Sequence, residues 1–142
     1  MLALAACSRP PPESTPEGAL RSWIEKMESQ AGSARPSKDA FALLGPQARA
    51  ALTERADRAS RAQGRRVEAW EMLAQARFGL KFRPATLRAT VTGDSAVVDV
   101  TGDDPSVDHA TVRCAREGGV WKIEPELAAL PAAQRRPGSE RE

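Results

Sequence analysis

Apolar residues recur along this chain with two different periods. From residue 15 to about 77 they are spaced by three and four, as on helices with one buried stripe; from residue 86 they alternate with polar ones, as in half-buried strands. Thr15-Pro16-Glu17 reads as a helix start. A Thr can cap, a Pro suits the first helical position, and an acidic side chain complements the dipole. Leu20, Trp23, Ile24, Met27 and Ala31 then form one stripe, and Gly32 is placed to end it. Ser37 is the expected cap of a short second helix that buries Phe41, Leu43 and Leu44 and stops at Gly45-Pro46. Pro46 opens a third helix reaching about Gln63, thinly apolar through Ala48, Ala51, Leu52 and Ala59, and broken by Gly64. The segment 67–77, VEAWEMLAQAR, predicts a fourth helix with Trp70 and Leu73 facing inward.

The later alternation gives four strands. Leu87, Ala89 and Val91 share one face, and Gly93-Asp94 turns the chain into a second strand whose matching face is Ala96, Val98 and Val100. After the loop Gly102–Asp108, a third strand presents Ala110, Val112 and Cys114; Glu117-Gly118-Gly119 turns again, and Val120–Ile123 closes. Short turns between alternating strands predict an antiparallel meander. Helices first and sheet second is an α+β order, with amino-terminal helices packed on a curved four-stranded sheet.

Length and composition narrow this picture without adding chemistry. The 142 residues suit one domain. SRPPPES at 8–14 and PAAQRRPGSERE at 131–142 offer almost nothing to bury, so the domain is expected over 15–130, with 131–142 a disordered tail. A net charge of +2, three Trp, three Phe and no Tyr do not call for nucleic acid. No stretch approaches the ~20 apolar residues of a membrane span.

The first of two cysteines has a specific setting. Leu4-Ala5-Ala6-Cys7 resembles the lipobox of bacterial lipoprotein precursors, and a Pro/Ser stretch follows directly. That resemblance implies cleavage before Cys7, a diacylglycerol on its thiol and acylation of the new amine, such as palmitate. Several acyl chains at ~0.8 kcal/mol per buried methylene hold a protein stably. Residues 7–14 then read as a Pro-rich tether, extended and stiff. Residues 1–6 read as a truncated signal segment or a misassigned start, since export needs a basic region and ~7–15 apolar residues. In the same family Ser8, a residue other than Asp after the cysteine, implies the periplasmic side of the outer membrane.

The domain as a whole resembles the nuclear transport factor 2-like superfamily, a cone in which a sheet wraps an amino-terminal helix. PEGALRSWIEKM, FALLGPQARAAL, TVTGDSAVVDV and REGGVWKIE carry the likeness, which covers most of residues 15–125. Enzymes of that superfamily include ketosteroid isomerase and scytalone dehydratase, whose sites use tyrosines, and this chain has none.

Candidate chemistry is therefore sparse. His109, the single His, and Asp99 on the neighbouring strand form the one acid/base pair that an enzyme of this fold, whether lyase, isomerase or hydrolase, would use in its pocket; the alternative is a strand-edge His in water. Asp103, Asp104 and Asp108 beside His109 match no calcium loop and read as a solvated turn. Cys114 falls on the apolar face as a core thiol. Trp23, Trp70 and Trp121 either line a ligand-binding mouth or fill the core. Six arginines (Arg49, Arg55, Arg58, Arg61, Arg65, Arg66) against Glu54 and Asp57 leave 46–66 at net +4, a face for anionic lipid or an acidic partner, or simply a solvated helix. The leading expectation is a non-catalytic envelope lipoprotein that binds an envelope protein or a small molecule, or scaffolds at the membrane. No cofactor or metal is expected, and a dimer through the open sheet face is a further expectation.

Overall fold

A computed structural model describes residues 9–29, 34–75, 80 and 82–127. The chain is α+β: helices α1 (Pro16–Glu28), α2 (Ala34–Ala42), α3 (Pro46–Gln63) and α4 (Met72–Gln75) precede strands β1 (Thr86–Thr92), β2 (Ser95–Thr101), β3 (His109–Glu117) and β4 (Val120–Glu124). The strands form one antiparallel sheet in the order β1-β2-β3-β4. Among the described residues no helix is long and apolar enough to cross a membrane.

α1 starts as its sequence dictates. Thr15 is extended, and its Oγ1 accepts the Gly18 N–H at 3.0 Å. Pro16, Ala19, Leu20 and Trp23 are buried. The helix stops at Glu28, ahead of Gly32, where the Ser29 hydroxyl donates to the Lys26 carbonyl and competes for the last turn. Ala31 and Gly32 lie outside the described residues.

Three expectations change in the helical half. α2 begins at Ala34, so Ser37 sits inside it rather than capping it. Pro36 is tolerated there because the first helical N–H groups need no intrahelical acceptor. Leu43 and Leu44 do not continue α2. The Ile123 N–H donates to Leu43 O and the Gly45 N–H to Ile123 O, so this segment runs parallel to β4 and covers its edge. The segment 67–77 is not one helix either. Val67 is buried against α3, its N–H donating to Ser60 Oγ at 2.8 Å, and the backbone stays extended through Glu68. A 3-10 turn (Ala69–Glu71) with a Glu68/Glu71 capping box then leads into α4. Residues 76 and 77 lie outside the described residues.

The tether expected over 7–14 is shorter than its composition suggests. Pro12–Ser14 forms a 3-10 turn packed on α1 and β4. The approach is so close that a Cβ on Gly18 would overlap the Pro12 carbonyl oxygen.

The strands follow the alternation. Val100, Val98 and Ala96 lie opposite Leu87, Ala89 and Val91, and Cys114 lies opposite Ala96 and Ile123. Gly118 and Gly119 both adopt positive φ, 58° and 81°, which a two-residue hairpin requires. The core gathers Leu20, Leu44, Leu52, Leu73, Val98, Val100 and Ile123, all fully buried, between the helices and this inner sheet face.

Candidate functional site

The space between helices and sheet is occupied by side chains. Trp121 is 3 % exposed and Trp23 6 %, and both belong to the core with Leu44, Leu52 and Leu73. Arg116 stacks its guanidinium 4.7 Å from the Trp121 ring centroid. Trp70 stands apart, half-buried, with Lys38 Nζ 5.1 Å from its ring. The three tryptophans therefore do not line one mouth. Trp23 alone reaches a recess of about 170 Å³, shared with Met27, Leu80 and Phe82.

Strand register separates the candidate acid/base pair. His109 pairs with Thr101, while Asp99 pairs with Thr111 on one side and Arg88 on the other. His109 and Asp99 are diagonal neighbours on the outer face, away from the core. A general base acts within hydrogen-bond reach of the proton it takes, and His109 stands exposed at the strand end with Thr101 as its cross-strand partner.

The acidic loop satisfies itself. Asp104 Oδ1 accepts from the Ser106 N–H (3.1 Å) and hydroxyl (2.6 Å), and Asp108 Oδ2 accepts the Asp104 N–H. The Ser106 hydroxyl first, and its backbone N–H second, hold the Asp104 carboxyl below the usual carboxylate range. Among the described residues no group of three or more His, Cys, Asp and Glu side chains is placed to hold a metal ion.

The arginines of α3 are spent on local partners. Arg49 meets Glu117 at 2.7 Å through both carboxylate oxygens, Arg58 meets Glu54 at 2.9 Å, Arg65 meets Glu71 at 3.4 Å and Arg66 meets Glu68 at 2.6 Å. Arg61 donates to the Asp57 carbonyl, and Arg55 is half-buried. Glu117, Glu68 and Glu71, drawn from outside the helix, offset three of the four excess charges that 46–66 shows on its own. Exposed pairs of this kind are weak, yet they leave little net field for an anionic surface.

One arrangement escaped the sequence reading. β4 aims two outward side chains of opposite charge at the two helix ends beside its edge. Lys122 Nζ donates to the Ala42 carbonyl at the end of α2. The Glu124 carboxylate accepts the Gln47 and Ala48 N–H groups at the start of α3, at 3.1 and 2.8 Å. Each charge matches its helix dipole, and Glu124 caps a helix whose own cap position, Gly45, has no side chain. A Cβ at Gly45 would overlap the Glu124 carboxylate and oblige that side chain to shift. Alongside opens a groove of about 360 Å³ lined by Ala51, Thr111, Arg113, Glu124, Glu126 and Leu127. The only sequence signal was a Lys and a Glu two apart on a strand, with nothing to say what they faced.

Cys114 is chemically quiet. Burial, then the nearby Glu17 and Glu124 charges, push its thiol up to about 12, so it stays protonated at neutral pH. Cys7, with Leu4, Ala5, Ala6 and Ser8, lies outside the described residues. No protein-family model matches the chain, and no curated protein or solved structure matches it.

Proposed function

We propose that this chain is a non-catalytic cell-envelope lipoprotein, acylated at Cys7, whose domain is a nuclear transport factor 2-like cone that binds or scaffolds at the periplasmic side of the outer membrane. Support for the anchor is the Leu4-Ala5-Ala6-Cys7 box with its Pro/Ser continuation. Support for a non-catalytic role is a single observation: Trp23 and Trp121, with their aliphatic neighbours, fill the interior in which enzymes of that fold hold their substrate. The working surface is then the outside of the sheet. It carries Thr86, Thr90, Thr101 and Thr111 among charges that face each other across strands, Arg88 opposite Asp99 and Arg113 opposite Glu124. Such a polar face suits a reversible contact with an envelope protein, a polar small molecule or a second copy better than an obligate dimer.

The catalytic reading through His109 and Asp99 finds no support in their placement on that open face. The anionic-lipid reading through Arg55, Arg58, Arg61, Arg65 and Arg66 is weakened by the carboxylates that meet Arg58, Arg65 and Arg66.

The test is acylation in the native host. Cells fed an alkyne-tagged fatty acid should yield a labelled chain in the envelope fraction, and Cys7→Ala should abolish both labelling and membrane association. An unlabelled wild-type chain that fractionates with cytosol overturns the proposal.

A further inference from the structure

We infer that the lipid anchor holds the domain down by one end, with the hairpin-turn end of the sheet against the bilayer and the loop Gly102–Asp108 directed away from it. This rests on the acylation of Cys7 proposed above.

The docked turn Pro12–Ser14 sets this orientation. A chain anchored at Cys7 and free as far as Thr15 has eight peptide steps, a reach of about 26 Å at ~3.3 Å per residue. With Pro12–Ser14 fixed on α1 and β4, only five steps remain, about 16 Å. A globule of ~115 residues has a radius of gyration near ~13 Å, and so a width of roughly 35 Å. To set its far end on the membrane, the domain would have to lift its attachment point about 30 Å. The longer leash nearly permits that inversion, and the shorter one forbids it.

Topology identifies the two ends. α1 leaves the docked turn, starts beside the middle of β1, where Glu17 accepts the Ala89 N–H, and ends with Met27 and Glu28 beside Leu80, Phe82 and Pro84. Phe82 in turn abuts Gly102. α1 thus runs ~20 Å, at ~1.5 Å per residue, from the docked turn toward the loop 102–108. The hairpin turns Gly93-Asp94 and Gly118-Gly119 lie at the opposite end of the strands, the end at which β4, the strand that the docked turn packs on, begins. Arg116 sits there too, its backbone N–H donating to the Asp94 carbonyl. The outer sheet face and the groove beside Glu124 then stand roughly upright to the membrane, open to a partner in the periplasm.

Two positions report the orientation: Asp94, 81 % exposed at the turn end, and Val107, 74 % exposed on the far loop. Asp94→Cys and Val107→Cys chains, purified from the envelope and shown by intact mass to carry lipid, are labelled with a fluorophore. Lipidation blocks Cys7 and burial shields Cys114. In phosphatidylcholine vesicles with a headgroup-linked quencher, the label at 94 should be quenched more strongly than that at 107. A flexible Gly/Ser insert between Ser8 and Arg9 should abolish the difference. Gly18→Ala, which expels the Pro12–Ser14 turn, should reduce it. Equal quenching without the insert, or stronger quenching at 107, overturns the inference while leaving the anchor intact. A chain whose mass shows no lipid overturns the anchor, and the orientation falls with it.

Discussion

The two faces of the sheet are built from the same strands, yet they do opposite work. Val97 and Val98 are adjacent; Val98 is fully buried and Val97 is 40 % exposed. The inner face is an apolar layer in which Trp121 and aliphatic side chains pack with residues of α1, α3 and α4, and it opens toward the hairpin turns, where Val91 is 49 % exposed. The outer face is a lattice of threonines and paired charges with Val97 as its one large exposed apolar residue within β2 and β3. The contrast teaches where function can reside. A filled interior holds the fold together and leaves recognition to the outside.

Removing the interior should have the largest effect. Trp121→Ala should cost about 3–5 kcal/mol, enough to unfold a marginal domain, as read by urea denaturation. The neighbouring valines give the sharpest contrast. Val98→Ala should cost about 2 kcal/mol and Val97→Ala less than about 0.5 kcal/mol, with the same urea m-value for both. Similar costs at the two positions would break the division between the faces.

A smaller effect is expected where the outer face serves structure. Glu124→Ala removes the cap of α3 and should cost about 1–2 kcal/mol. Gly45→Ala should destabilise through the same contact, and combining the two changes should be less than additive, since each disturbs the same cap. Thermal melts of the single and double variants measure this. A fully additive pair would mean that Glu124 does not hold that helix end.

The smallest effect is a titration. The folded Asp104 carboxyl lies below its ordinary value of 3.8, so its contribution to stability is complete above that value and is lost as pH falls through the lowered folded one. Ser106→Ala removes the leading cause and should return the Asp104 titration, followed by NMR, toward the ordinary range.

Local chemistry made much of the fold legible. Thr15-Pro16 started α1, Gly64 ended α3, and alternation with Gly-containing turns laid out all four strands in order. The departures came from contacts distant in sequence. Leu43 and Leu44 look helical until β4 offers an open edge, and Val67 is drawn out of a helix by the Ser60 hydroxyl on α3. The site was less legible for the same reason. Whether His109 meets Asp99 is decided by a two-residue step in register, which periodicity cannot supply, and Arg49, Arg65 and Arg66 find carboxylates that lie beyond the 46–66 window. The cap by Glu124 joins residues 76 and 77 positions apart.

The most direct test of a filled interior is the accessibility of Trp121 to acrylamide, in a Trp23→Phe, Trp70→Phe chain where it is the only fluorophore of its kind. Blue-shifted emission with almost no quenching in the folded state, rising to full quenching in urea, is the expected result. Emission already solvent-like and freely quenched before unfolding would mean an open chamber beneath the sheet, and would return the interior to contention as a binding or catalytic site.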